Sequence, residues 1–337
     1  MKSSKTSTNT SSAIGLDVGT SRVVVAQKSS DDYQYESELN AFVNIPFSKL
    51  TASVLEREGV LHTIQNSEII VHGNESEKFA ELMGVEIRRP MTRGTLDAKE
   101  PDSLTLIRQI ITSMLGEGAQ SGQKLCFTVP ASPLGGEESQ TYHETTMRQL
   151  LTGMGFQTKA INEGLAVIYG EMENSNYTGI GISCGGGLCN VAMAYLSVPV
   201  LSFSMPKAGD YIDSSAAAVT GERANRIRLT KEEAFHLNGM HADKIHQVIG
   251  VYYDDMIDTL VAGLKEAFAR TRNLPKLGRP IPLVLSGGTA MPSGFRDRFE
   301  DKLRGVEFPV GISEVRLASS PLYAAAKGAL IAAMIDM

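Results

Sequence analysis

Three short glycine turns, each placed after an apolar run, are the residues best suited to chemistry: Asp17-Val18-Gly19-Thr20, Gly185-Gly186-Gly187 and Gly287-Gly288-Thr289. A turn with free backbone N–H groups and no side chains in the way can approach phosphate oxygens closely. Two such turns facing across a cleft would grip a polyphosphate from both sides, with Asp17 placed for a magnesium ion. Glu163, in Asn162-Glu163-Gly164, is the one carboxylate at the candidate hinge, where it would orient a water in line with a terminal phosphate. A single glycine turn after a strand is usually structural, so the order and spacing of the three carry the argument.

Such turns need strands to hold them. From Ala13, AIGLDVGTSRVVVAQK reads as a hairpin of two short apolar strands around the first turn. TGIGISCGGGLCNVAMAYLSVPVLSFSM repeats that plan around the second turn, an internal echo that predicts two copies of one α/β arrangement facing each other. The first half is expected over 13–155, with a small inserted subdomain over about 31–90. The second is expected over 156–337, with an insertion over about 213–278 and a C-terminal helix, 321–337, packing back toward the first half. Within these, Leu104, Ile107, Ile110, Ile111 and Met114 have helical spacing, and KLCFTVPAS reads as a buried strand ending at Pro130. In ANRIRLTKEEAFHLNG, Thr230 with Glu233 three residues on reads as a helix N-cap. Residues 1–12, rich in Ser, Thr and Lys, read as a flexible tail.

Composition narrows the function. The 337 residues suit two domains of ordinary size, and 42% hydrophobic with 21% charged residues is a globular balance. A formal net charge of -6 argues against strong nucleic-acid binding, which needs a concentrated basic face. No stretch reaches the eighteen or so apolar residues that span a bilayer. Cys126, Cys184 and Cys189 form no even disulfide framework, so a reducing cytoplasm is expected, with Cys184 and Cys189 as small core residues beside the second turn. His236, His241 and His246, five residues apart, do not share one helix face and read as solvated or capping groups rather than metal ligands.

Over nearly its whole length the sequence resembles the actin-like ATPase superfamily, and most closely bacterial actins of the MreB and MamK type. AIGLDVGTSRVVVA resembles the first phosphate loop, INEGLAVIYG the first connecting segment, GIGISCGGGLCNVA the second phosphate loop, PLVLSGGTAMPSGF the adenosine segment and SSPLYAAAKGAL the second connecting helix. The resemblance implies that Asp17 orders the magnesium's waters and that Gly19, Thr20 and Ser21 line the phosphates. By the same resemblance Glu163 orients the attacking water, Gly185, Gly186 and Gly187 meet the β- and γ-phosphates, and Gly287, Gly288 and Thr289 lie beside the nucleoside. KAGDYID, with Gly209 and Asp210, resembles the segment that precedes subdomain IIB of the bacterial actins.

Two departures stand out. Active relatives begin the second phosphate loop with an aspartate and follow its glycines with Thr or a similar polar residue; here those positions are Ser183 and Leu188. Ser183 would hold a metal only weakly, through water. The helix that borders the ribose in MreB-type actins usually offers a Glu and a Lys a turn apart, and alignment puts Phe235 and Asn238 there. The expected function is therefore an actin-like protein that binds ATP or GTP with Mg2+, polymerises into cytoskeletal filaments and hydrolyses slowly. The alternative is a non-polymerising pseudo-ATPase adaptor with nucleotide as a structural ligand. Heat-shock chaperones share Ile161-Asn162-Glu163 but carry a peptide-binding domain, sugar or acetate kinases would need a substrate carboxylate or base in the cleft for which the sequence offers no convincing candidate, and AAAKGALIAAMIDM lacks the basic, aromatic face of a membrane anchor.

Overall fold

The computed structural model describes residues 13–29, 32–97, 99–100, 102–116, 122–136, 140–241 and 243–335. The tail expected over 1–12 lies outside them. The chain opens with β1 (Ala13–Val18), β2 (Arg22–Ser29) and β3 (Asp32–Leu39), an antiparallel meander. A small three-stranded sheet follows, from β4 (Phe42–Pro46), β5 (His62–Gln65) and β6 (Glu68–His72), with α1 (Lys49–Arg57) and α2 (Glu75–Met83). Its own core gathers Val43, Ile45, Leu55, Ile69, Val71 and Ala80. The two-residue strands β7 (Met91–Thr92) and β8 (Thr95–Leu96) lead to α3 (Ser103–Leu115), β9 (Lys124–Val129), α4 (Thr141–Gly153), β10 (Gln157–Asn162) and α5 (Glu163–Glu171). Because β3 pairs with β2, the first sheet has the order β10-β9-β1-β2-β3, and the small sheet begins only at β4.

The second half repeats the plan. β11 (Gly179–Cys184), β12 (Cys189–Tyr195) and β13 (Val198–Met205) form a meander, followed by α6 (Gly209–Thr220), α7 (Ala224–Glu233) and α8 (Lys244–Arg270). β14 (Ile281–Ser286), α9 (Phe295–Arg304), β15 (Ile312–Leu317) and α10 (Ala324–Ile335) complete it. The sheet order is β13-β12-β11-β14-β15, with β14 parallel to β11 and β15 parallel to β14, as β9 is to β1 and β10 to β9. The long α8 shares its apolar face with this sheet: Tyr253, Met256, Ile257 and Leu260 join Ile180, Ile182 and Val191 in one buried cluster. Thr230 is not a cap. It lies inside α7, where its Oγ1 donates to the Arg226 carbonyl at 2.9 Å, and the helix starts two turns earlier than the Thr/Glu spacing implies.

The halves are joined by an exchange of helices. α5, which follows the first sheet in sequence, packs on β11 and β12, while α10, which follows the second, packs on β1 and β9; the two helices also pack on each other. Glycine makes this possible. A Cβ at Gly15 of β1 would overlap the Ala326 carbonyl and Leu330 N of α10, and one at Gly181 of β11 would overlap the Gly164 carbonyl of α5. At the crossing itself, Gly328 faces the Ala166 carbonyl so closely that no Cβ fits. No described helix is long and apolar enough to cross a membrane.

Gly328→Val should therefore cost about 3 kcal/mol of unfolding free energy, because backbone on both sides must shift. Gly153→Ala, at the end of α4 with open space around it, should instead stabilise by about 0.5 kcal/mol through the reduced freedom of the unfolded chain. Urea titration of the two variants checks the contrast, and equal effects would refute the steric reading of the crossing.

Candidate functional site

The first two glycine turns are built alike. Gly19 N–H donates to the Arg22 carbonyl and Gly185 N–H to the Leu188 carbonyl, each at 2.9 Å, which leaves Thr20-Ser21 and Gly186-Gly187 at the two tips. The strand pairs flanking them correspond: Val18 faces Val23, and Cys184 faces Cys189. The tips meet across the cleft, where a side chain at Gly186 would strike Ser21 Oγ and one at Gly187 would strike Thr20 Oγ1. Thr20 Oγ1 accepts from Gly94 N–H at 2.8 Å, and Asn40 Nδ2 donates to the Gly19 carbonyl at 2.9 Å.

The third turn and α6 brace the second. Gly287 has φ +89°, a conformation that favours glycine, and its N–H donates to the Pro321 carbonyl at 2.9 Å. Thr289 Oγ1 donates to the Gly185 carbonyl at 2.8 Å. Gly209 N–H donates to the Gly185 carbonyl at 3.1 Å and Asp210 N–H to the Gly186 carbonyl at 2.7 Å, so the start of α6 fixes the loop. Every residue singled out for the site lines one cavity of about 460 Å³: Asp17, Gly19, Thr20, Ser21, Glu163, Ser183, Gly185, Gly186, Gly187, Gly209, Asp210, Gly287, Gly288 and Thr289.

Its acids occupy the floor. Asp17 accepts from Thr128 Oγ1 at 2.5 Å; desolvation in the recess pushes its carboxyl up to about 6, against the pull of that hydrogen bond. Glu163 opens α5, but the cap of that helix is Asn162, whose Oδ1 accepts from Leu165 N–H at 3.2 Å. The Glu163 carboxylate is free to face the cavity, where Asn190 Nδ2 donates to its Oε2 at 2.6 Å. Desolvation and the Asp17 charge push it up to about 8, opposed by a hydrogen bond from the Ser183 hydroxyl. Asn190 is itself oriented by Ala131 N–H, which donates to its Oδ1 at 3.0 Å. By register Ser183 is the counterpart of Asp17, two residues before the turn in the equivalent strand.

The structure adds residues that the sequence reading missed. Arg228, Lys231 and Glu232 of α7 line the cavity, as do Asp213, Thr128 and Asn190. Lys231 Nζ donates to Asp213 Oδ1 at 2.7 Å and to the Gly209 carbonyl at 3.2 Å. Burial pushes Asp213 up to about 6 despite this lysine. α7 thus brings a lysine and a glutamate, Lys231 and Glu232, neighbours in sequence, to the cavity. Phe235 is in the cavity wall, and Asn238 lies against Gly294 instead. The signal in the sequence is the i, i+3, i+4 spacing of Arg228, Lys231 and Glu232. The rings of His236, His241 and His246 gather beside Phe235, with centroids 4.8 and 5.4 Å apart along the series. Among the described residues no group of three or more His, Cys, Asp or Glu is placed to hold a metal. All three cysteines are buried, and none is joined in a disulfide.

A family model described as Volactin matches residues 12–333. No curated protein matches the sequence. Among solved structures, the MamK double helical filament aligns with TM-score 0.66 at 18% identity, over 96% of this chain and 98% of that one. MreB5 of Spiroplasma citri bound to ADP aligns with TM-score 0.62 at 14% identity, over 95% of each chain. The ethanolamine utilization protein EutJ from Carboxydothermus hydrogenoformans aligns with TM-score 0.55 at 17% identity, over 94% of this chain and 89% of that one. At these identities the likeness carries the fold, which is actin-like.

The floor acids give stability a pH dependence. Glu163 holds its proton more tightly in the folded state, about 8 against an ordinary 4.5, so its contribution is complete below about 4.5 and lost as pH rises through about 8. Asp17 acts in the same direction between 3.8 and about 6. Glu163→Gln should melt about 3 °C or more above the wild type at pH 8.5 and nearly with it at pH 4.5. Parallel melting curves for the two proteins across that range would show that Glu163 ionises normally.

Proposed function

The chain belongs to the volactin family, and from that premise we propose that it binds a purine nucleoside triphosphate with Mg2+ in this cleft, assembles into filaments and hydrolyses the nucleotide slowly. One observation carries the reading: two equivalent hairpin turns, one from each sheet, meet tip to tip above Asp17 and Glu163. Peptide N–H groups at both tips suit phosphate oxygens. Lys231, Glu232 and the Gly287–Thr289 turn, on the second-sheet side of the cavity, suit the nucleoside. The division at about residue 155 follows from the same reading, one half for each sheet.

The donor set fits a magnesium ion held through water, with Asp17 on one side and the Ser183 hydroxyl on the other. Bound there, the ion would neutralise phosphate charge. Glu163, fixed by Asn190, would orient the attacking water, and Thr128 would hold Asp17. The single carboxylate beside the metal position is the reason for slow hydrolysis, and it also motivates a second reading in which nucleotide is a structural ligand of a non-polymerising adaptor. MamK and MreB5 are the fold relatives that make filament assembly and adenine nucleotide the first options to test. Three cysteines outside any disulfide suit a reducing cytoplasm.

Melting with and without ATP, GTP or ADP plus magnesium tests binding. A ligand specific to the native state adds about 2.7 kcal/mol at a hundredfold excess over Kd, and no upward shift with any nucleotide would reject the assignment. Sedimentation and negative-stain imaging under the same conditions separate the readings, since a protein that stays monomeric with every nucleotide is the adaptor. Ser183→Asp sharpens the metal argument. Adding a third carboxylate to the floor should destabilise the free protein, restore its melting temperature selectively with Mg2+, and raise turnover about tenfold or more. Destabilisation that magnesium does not relieve would place the metal elsewhere.

A further inference from the structure

In a trans peptide the C=O of one residue and the N–H of the next point in opposite directions, so a donor that ties a turn carbonyl outward also aims the following N–H inward. The second turn is tied in this way by its neighbours. The Gly185 carbonyl accepts from Gly209 N–H at 3.1 Å and from Thr289 Oγ1 at 2.8 Å, which orients the Gly186 N–H. The Gly186 carbonyl accepts from Asp210 N–H at 2.7 Å, which orients the Gly187 N–H. In the first turn Gly19 holds the place of Gly185, and the donor to its carbonyl is Asn40 Nδ2 at 2.9 Å. Asn40 follows β3 and extends that strand's ladder by one bond, its own N–H donating to the Ser21 carbonyl at 2.9 Å. One residue thus grips the first turn on both sides of Thr20. Neither the Thr20 N–H nor the Gly186 N–H has an acceptor among the described residues.

We propose that Asn40 is the positioning residue of the first turn: it aims the Thr20 N–H at a phosphate oxygen, as Thr289 and the start of α6 aim the Gly186 N–H. The inference rests on the nucleotide reading above, and Asn40 itself lies outside the cavity lining. The chemistry of the place calls for an amide. Its nitrogen must face the Gly19 carbonyl, because the amide turned over would set oxygen against oxygen. Asn40 is fully buried, and its Oδ1 has no partner among the described residues. A buried oxygen left unpaired is unfavourable, so the value of the amide here lies in the bond that its nitrogen makes. Without that bond the Gly19 peptide is free to turn. Its carbonyl, swung inward, would set a partial negative charge against the phosphate and withdraw the Thr20 N–H. The second turn keeps its own three donors, so the loss is confined to the first tip.

The test compares the full-length wild type with Asn40→Ala, titrated with Mg-ATP and, by competition, with AMP. Asn40→Ala should weaken ATP about tenfold, the worth of one hydrogen bond to a charged group, and AMP less than about twofold. Hydrogen exchange locates the effect. In the wild type, Mg-ATP should slow exchange in peptides covering both turns; in Asn40→Ala the protection should fall at residues 19–21 and persist at 185–187. A purely structural role for Asn40 would lower the melting temperature without separating the two turns. If the melting curve shows that Asn40→Ala does not fold, Asn40→Ser, which keeps a shorter donor, takes its place, with about a threefold loss for ATP and the same contrast in exchange. Unchanged ATP affinity in a folded variant, or protection lost equally at both turns, overturns the role of Asn40 and leaves the nucleotide reading standing. Failure of the wild type to bind any nucleotide overturns both.

Discussion

The structure depends on the glycine-tight crossing of α5 and α10. Each helix is contributed by one half of the sequence and packed against the sheet of the other, so neither half completes its core alone. The buried cluster at the crossing draws Ala13 and Cys126 from the first sheet, Ala192 and Val284 from the second, and a run of alanines from α10. Small side chains let backbones approach, and close approach makes the packing sensitive to a single added carbon. The constraint reaches the strands as well. Gly15 and Gly181 hold equivalent places, two residues before Asp17 and Ser183, and each seats the helix that crosses its sheet.

Against that symmetry, the differences between the halves stand out as chemistry rather than folding. The same strand position holds Asp17 in one half and Ser183 in the other; the next holds Val18 or Cys184. Both hairpins form the same turn with the same hydrogen bond, so the fold does not require a carboxylate at either place. What the carboxylate and the serine change is the charge on the cavity floor. With Asp17 and Glu163 already raising the cost of ionisation, a serine that donates to Glu163 lowers the electrostatic strain where an aspartate would increase it.

Much of this was legible in the sequence because glycine turns after apolar strands are local signals. The three turns, Glu163 and the repeated strand plan needed no knowledge of distant contacts, and all the residues they single out meet in one cavity. What stayed hidden was set by tertiary contact. Thr230 and Glu233 have the spacing of a capping box, but the two preceding turns, ANRIRL, continue the same helix, and Thr230 bonds backward to Arg226 instead. Lys231 and Glu232, later in the same helix, line the cavity without having been singled out. Asn190 and Thr128 were invisible for a different reason: each acts through one hydrogen bond to a residue far along the chain.

Those two hydrogen bonds also place the floor acids in opposite halves. Asp17 is held by Thr128, both on the first sheet. Glu163 follows β10 in sequence, yet its carboxylate is held by Asn190 and Ser183 of the second sheet, and its helix packs there. A rotation of one sheet against the other about the α5 and α10 crossing must therefore change the separation of Asp17 and Glu163. Their mutual repulsion resists closing when both are ionised, and a positive charge or a proton between them favours it. In this arrangement the distance between the two carboxylates is the quantity that any such rotation would change.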